Sequence, residues 1–98
     1  MIQCIVSQEL RLVGREMVEF AKEMPLPAVL PVSSRIKLNL SSGLYVGRVL
    51  KVSATEGSEL VELELNPVIF QNRNDFERLR SDFADTNCWG ISKTWYTV

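Results

Sequence analysis

The chain lacks the side chain on which most acid–base chemistry at neutral pH depends, because it contains no histidine. Imidazole is also the usual activator of nucleophiles and a common metal ligand. An enzyme without histidine needs carboxylates or lysines with shifted pKa values, gathered in one pocket. The sequence shows no cluster of this kind, and it therefore favours a protein that is not an enzyme.

The remaining candidates for catalysis or metal binding are isolated residues. Cys88 has no histidine to act as its base, and Lys93 is the nearest lysine in the sequence. Asp82 and Asp85 are three residues apart, but two carboxylates without further oxygen ligands make a weak cation site. We therefore predict no catalytic residue, no bound metal and no cofactor.

A set of basic residues with one aromatic residue occupies two predicted strands in the middle of the chain. Its members are Arg35, Lys37, Tyr45, Arg48 and Lys51. Cations interleaved with aromatic rings bind single-stranded nucleic acid through phosphate contacts and base stacking. However, Glu62 and Glu64 on the next strand can neutralise these cations, and a net charge of −1 gives no general attraction to phosphate. Nucleic-acid binding is therefore an alternative function and not the favoured one.

The last residues of the chain are rich in aromatic side chains and are predicted to form a strand. Tryptophan and tyrosine often anchor protein interfaces, although burial in the core explains such residues equally simply. The candidate interaction surface consists of Trp89, Trp95 and Tyr96. A largely uncharged aromatic strand can pair with a second copy across a two-fold axis. The favoured function is therefore a non-catalytic binding protein that forms a homo-oligomer, most simply a homodimer. A small-ligand pocket between the sheet and residues 25–31 is a further alternative.

Length and composition indicate a single soluble domain over residues 1–98. Hydrophobic residues are 46% of the chain and charged residues 23%, close to the average of globular proteins. Cys4 and Cys88 do not have the spacing of a metal-binding motif. The first residues carry no basic region typical of a signal peptide, and no apolar stretch is long enough to span a membrane. We therefore expect a cytoplasmic protein that is not bound to a membrane.

A helix is predicted over residues 8–24, with Ser7 as its N-cap. Apolar residues recur at helical spacing in this segment, at Leu10, Val13, Met17, Phe20, Ala21 and Met24. Pro25 ends the helix, because proline disfavours helical geometry at the residue before it. Two strands with a turn near Gly14 are the alternative.

From Arg35 onward the apolar residues alternate, and they predict a three-stranded meander over residues 35–65 with a bulge near Gly47 and Arg48. Asn74 is the predicted N-cap of a second helix. The predicted fold is therefore α+β, in the order β-α-β-β-β-α-β, with about five antiparallel strands and two helices packed on one face. The alternative is a small SH3-like, mainly β barrel with one helix.

Overall fold

The computed structural model describes residues 1–54, 57, 59–86 and 89–96, and it describes side chains as far as Ile91. Seven strands and one helix occur in this part of the chain. They are β1 (Ile2–Leu12), β2 (Glu16–Leu26), β3 (Arg35–Leu40), β4 (Gly43–Ala54), β5 (Val61–Leu65), β6 (Val68–Phe70), α1 (Arg73–Asp85) and β7 (Gly90–Tyr96).

All seven strands belong to one sheet that curls into a half-barrel. The strand order is β3-β4-β5-β1-β2-β7, and β6 pairs with β1 beyond the end of β5. β5 and β6 run parallel to β1, whereas the other neighbours are antiparallel. The predicted antiparallel sheet of five strands with two helices is therefore wrong: the sheet is mixed, and α1 is the single helix among the described residues.

The predicted helix over residues 8–24 is wrong because this segment forms part of β1 and most of β2. Leu10 and Phe20 fit a helical stripe, but they also belong to alternating buried positions of two strands. Those positions, all at most 3% exposed, are Leu10, Leu12, Val18 and Phe20. β1 is paired on both of its edges, and these long-range ladders outweigh the local helical pattern.

The turn between β1 and β2 contains Val13, Gly14 and Arg15. Gly14 has a φ of 69°, in the left-handed region that glycine adopts without steric cost. The Arg15 N–H donates to the Leu12 carbonyl at 3.0 Å. Residues 10–24 thus form strands, as the alternative fold required. The sheet is nevertheless open and not an SH3-like barrel, since β3 and β7 lie at its two ends.

The core lies between α1 and the inner side of the sheet, and Phe83 on α1 is its central residue. The Phe83 ring stacks on Phe20 with a centroid distance of 5.3 Å. It also contacts Tyr45 and Trp89 edge to face, at 5.5 Å and 5.0 Å. Phe76, two turns earlier on the helix, is fully buried as well. These two phenylalanines hold α1 against the sheet, since buried aromatic pairs stabilise by more than their area alone.

A buried carboxylate fixes the start of α1 against β2. Glu16 is only 7% exposed, and its Oε1 accepts a hydrogen bond of 2.8 Å from Nη1 of Arg73. Nη1 of Arg80, two turns further along the helix, lies 3.7 Å from Glu16 Oε2. A buried charge is costly unless it is paired, so the two arginines compensate the burial of Glu16.

The first turn of α1 is capped by Asn72 and not by the predicted Asn74. Asn72 has an extended backbone, and its side-chain Oδ1 accepts a hydrogen bond of 2.7 Å from the Asn74 N–H. The helix therefore begins two residues earlier than the sequence pattern predicts, because both asparagines can cap and the flanking chain selects the first.

Candidate binding surface on the β3–β4 hairpin

The β3–β4 hairpin has one buried and one exposed face because its side chains alternate. The meander of β3, β4 and β5 is present at the predicted positions. On β3 the buried residues are Ile36, Leu38 and Leu40. The residues between them are exposed, namely Arg35, Lys37 and Asn39. Strand geometry thus places the charges of β3 on the side of the sheet that faces away from the core.

The exposed face of β4 carries two large apolar residues, Leu44 and Val46, which are 62% and 49% exposed. The sequence predicts a bulge near Gly47 because these two residues are out of phase with Val49. Instead Gly47 occupies a core position, where an added Cβ would lie 2.7 Å from Cδ1 of Leu65. Because glycine has no side chain, the apolar pattern does not show that position 47 faces the core. The register shift comes only after Val49.

The register of the hairpin gathers the charges into one surface. Arg35 is directly opposite Arg48, and Lys37 is opposite Val46. We call the resulting surface the cationic face, and it consists of Arg35, Lys37, Asn39, Leu44, Val46 and Arg48. Cross-strand partners on one face have Cβ atoms about 4.5–5.5 Å apart, so the two arginines are close neighbours.

The cations of this face have no acidic partner within the part of the chain that the structure describes. The ion pairs found there use Arg11, Arg73 and Arg80. Arg35 and Arg48 meanwhile face each other, and like charges in this position are destabilising. The cationic face is therefore a local excess of positive charge on a chain whose net charge is −1.

Two members of the predicted nucleic-acid set lie off the cationic face. Lys51 follows the bulge and is opposite Glu64 in the register with β5. Tyr45 points into the core, where its hydroxyl donates a hydrogen bond of 2.9 Å to Gln8 Oε1. Burial raises the pKa of Tyr45 to about 12. The structure thus brings Arg35, Lys37 and Arg48 together, and the cationic face that contains them includes no aromatic residue among the side chains that the structure describes.

Of the predicted interaction surface at the end of the chain, the structure describes the side chain of Trp89 and only the backbones of Trp95 and Tyr96. Trp89 is 8% exposed and packs against Phe83, so it belongs to the core. The backbones of Trp95 and Tyr96 pair with Met17 and Glu16 on β2. The side chains of Trp95 and Tyr96 lie outside the described residues.

The candidates for catalysis and metal binding do not come together. Cys88 lies outside the described residues, and Cys4 is a buried thiol whose pKa burial raises. Asp82 accepts hydrogen bonds from the hydroxyls of Ser41 and Ser42. No group of three acidic or cysteine side chains suited to a metal ion exists among the residues that can be described.

Among the cavities lined by described residues, two flank β1, and residues 25–31, the predicted pocket segment, line neither of them. One of about 230 Å³ is lined by Ser7, Glu9, Arg11, Glu19, Leu50, Glu64, Leu65 and Pro67. Arg11 and Glu9 form an ion pair of 2.7 Å in it. The other, of about 380 Å³, adjoins the β1–β2 turn at Arg11, Leu12, Gly14 and Met17. The three glutamates that line the first cavity, Glu9, Glu19 and Glu64, do not form a group that could hold a metal ion.

Comparison with protein-family models, with curated proteins and with solved structures finds no match to the chain. Within the described region α1 is too short and too polar to cross a lipid bilayer.

Proposed function

We propose that the protein is a non-catalytic binding protein and that the cationic face binds an anionic partner. One observation carries the proposal: Arg35, Lys37 and Arg48 share an exposed face, and no carboxylate in the described part of the chain pairs with them. The mutual repulsion of these side chains is relieved when an anion lies across them. The cytoplasmic location expected from the sequence stays a prediction.

An acidic polypeptide suits this surface better than single-stranded nucleic acid does. Base stacking on aromatic rings contributes about 1–3 kcal/mol per base in single-strand binding. Tyr45 cannot stack on a base because its side chain packs in the core against Phe83 and Gln8. Leu44 and Val46 offer aliphatic contacts beside the cations, and these suit a protein side chain. The partner that we propose therefore combines carboxylates with apolar residues.

Fluorescence anisotropy tests this proposal with two labelled probes at low salt. One probe is a short peptide of alternating glutamate and valine, and the other is single-stranded oligothymidine. We expect the peptide to bind, with an affinity that falls as salt is added, because exposed ion pairs are screened. Binding of oligothymidine alone would favour the nucleic-acid alternative, and binding of neither probe would contradict the proposal.

A matched pair of triple variants locates the binding surface. Arg35→Gln, Lys37→Gln and Arg48→Gln together remove the cationic face, and we expect peptide affinity to fall about tenfold or more. Arg15→Gln, Lys22→Gln and Arg78→Gln remove the same charge elsewhere. These three residues also have no ion pair among the described residues, so the control variant should keep the wild-type affinity. Equal losses in both variants would show that only net charge matters.

Self-association is a second candidate function, and the position of β7 favours it. β7 is the last strand of the sheet order, and its outer edge has no strand partner in the described part of the chain. An unpaired edge can form an antiparallel ladder with its own copy across a two-fold axis.

Light scattering over a range of micromolar concentrations tests this candidate. A homodimer predicts a mass of two chains, whereas the mass of one chain at every concentration would exclude it. Trp95→Ala then separates an interface role from a core role. A folded monomer would show that Trp95 anchors a subunit contact, and a poorly folded protein would assign Trp95 to the core.

A further inference from the structure

We propose that the partner of the cationic face is an extended acidic segment of another protein, which adds as a strand to the free edge of β3. This inference rests on the proposed function and specifies how the partner is held. β3 is the first strand of the sheet order, so one of its edges has no strand neighbour among the described residues. Strand addition uses such an edge for affinity and the flanking side chains for specificity.

The hydrogen bonds of the hairpin show which backbone groups are free. The Val49 N–H donates to the Ser34 carbonyl, in the same register as the β3–β4 ladder. Hydrogen-bonded and non-hydrogen-bonded pairs alternate along an antiparallel ladder. The backbone N–H and C=O groups of Arg35, Lys37 and Asn39 therefore point away from β4. No hydrogen bond from elsewhere in the described chain reaches them. Three N–H and three C=O groups are therefore available to a new strand.

The hydrogen bonds between the helix and the hairpin lie beyond the end of β3. Ser41 and Ser42, which follow the last residue of β3, donate these hydrogen bonds, and Asp82 and Thr86 on the helix side accept them. The free backbone groups lie before that point, between Arg35 and Asn39. An extended segment beside these groups therefore needs none of the atoms that form the hydrogen bonds between the helix and the hairpin.

The positive charges beside this edge favour an acidic segment as its partner. Arg35 and Lys37 are two residues apart on one face, about 7 Å along the strand, which is the spacing of alternate residues in an added strand. Glutamates or aspartates at alternate positions would lie beside these two cations. The intervening positions would lie on the side of Ile36 and Leu38, which are core residues, and so would carry apolar side chains.

A second copy of this chain does not satisfy the same edge. Pairing β3 with its own copy in antiparallel register brings Arg35 and Lys37 of one chain next to the cations of the other. Like charges on paired strands are destabilising, and charged residues on edge strands commonly prevent self-pairing in this way. The edge therefore discriminates between an acidic segment and a homodimer contact.

N-methylated peptides test the inference directly. The glutamate–valine peptide is prepared in two forms, one N-methylated at the glutamates and the other at the valines. Neighbouring residues of a strand direct their N–H groups to opposite edges, so only one form loses the donors that reach β3. We expect one form to bind at least about tenfold more weakly than the other, measured by anisotropy.

The outcomes separate this inference from the proposed function. Equal binding by both forms would overturn strand addition and leave the cationic face as the binding surface. Loss of binding by both forms would also overturn addition at a single edge. If the unmodified peptide does not bind, the proposed function fails together with the inference.

A variant on the protein side supplies independent support. Asn39→Pro removes an outward N–H without changing any charge, whereas Asn39→Ala keeps that N–H and serves as the control. Proline is tolerated on edge strands where its nitrogen faces away from the ladder. We expect Asn39→Pro to weaken peptide binding several-fold more than Asn39→Ala does, because only the proline removes the outward N–H. Unchanged binding by a folded Asn39→Pro protein would contradict the inference, and the N-methylated peptides decide it if that variant does not fold.

Discussion

The Tyr45 hydroxyl donates a hydrogen bond of 2.9 Å to Oε1 of Gln8, which is a fully buried polar residue on β1. Nε2 of Gln8 donates to the carbonyls of Glu9 and Asn66, at 3.0 Å and 2.8 Å. Asn66 lies between β5 and β6, where the partner of β1 changes and Pro67 has no N–H to offer. The pair of Tyr45 and Gln8 therefore joins β4 to β1 where the ladder is interrupted.

Tyr45→Phe should lower the free energy of unfolding at neutral pH by about 1–3 kcal/mol, because Gln8 Oε1 is left without its donor. The effect should shrink at high pH. Burial raises the pKa of Tyr45 to about 12, whereas the pKa of a tyrosine in the unfolded chain is about 10. Between these values the unfolded chain loses a proton that the folded protein retains, so the stability of the wild type falls as pH rises.

Urea unfolding of the wild type and of Tyr45→Phe, at neutral pH and above pH 10, measures both effects. The variant lacks the ionising hydroxyl, so its stability should fall less steeply over this range and the difference between the two proteins should narrow. A difference in stability that stays constant with pH would show that Tyr45 is not buried as described.

Glu16→Gln should destabilise the protein by about 1–3 kcal/mol, because the charged hydrogen bond to Arg73 is replaced by a neutral one. Glu23→Gln is the matched control on the same strand, since Glu23 is exposed. That control should change the stability by less than about 0.5 kcal/mol. Equal effects in chemical denaturation would contradict the assignment of Glu16 as the anchor of α1.

Phe83→Ala should cost about 3–5 kcal/mol, the usual range for an aromatic residue truncated in a packed core. Leu44→Ala removes a side chain that is 62% exposed and should change stability by less than about 0.5 kcal/mol. Thermal or urea unfolding of both variants checks the orientation of the hairpin. A large loss of stability in Leu44→Ala would place Leu44 in the core and remove it from the cationic face.

Thr86→Val should remove one of the hydrogen bonds between the hairpin turn and the end of α1, while those to Asp82 remain. The Ser41 N–H donates to Thr86 Oγ1 at 2.9 Å, and valine has the same shape without an acceptor. We expect the Ser41 amide to exchange with solvent faster, as measured by hydrogen exchange and NMR. Thr86→Ser retains the oxygen and should retain the protection. Unchanged exchange in Thr86→Val would show that this hydrogen bond does not protect the amide.

The elements that depend on neighbouring residues can be predicted from the sequence. In residues 35–65 the alternation of Ile36, Leu38 and Leu40 with charged or polar residues identifies β3, and short turns keep the next two strands adjacent. The helix around Phe76 and Phe83 is likewise predicted by its own spacing, with an error of two residues at the cap. Local chemistry suffices there because each element carries one clear periodicity.

Residues 8–24 could not be assigned in this way, because Leu10 and Phe20 fit both the spacing of a helix and the alternation of two strands. Only the pairing of β1 with β5 and β6, more than fifty residues away in sequence, makes the extended form the stable one. Gly47 hides the phase of β4 for a related reason, since a position without a side chain carries no hydropathy signal. Its burial follows from the packing of Leu65 against it.

The candidate site shows the same division. The sequence by itself determined that Arg35, Lys37 and Arg48 are charged residues on neighbouring strands, and that no histidine-based site exists. The tertiary structure decided that these cations share one face, that Tyr45 faces the core and that β3 lies at an edge. Register and strand order depend on contacts between distant segments, and a pattern of neighbouring residues carries no information about them.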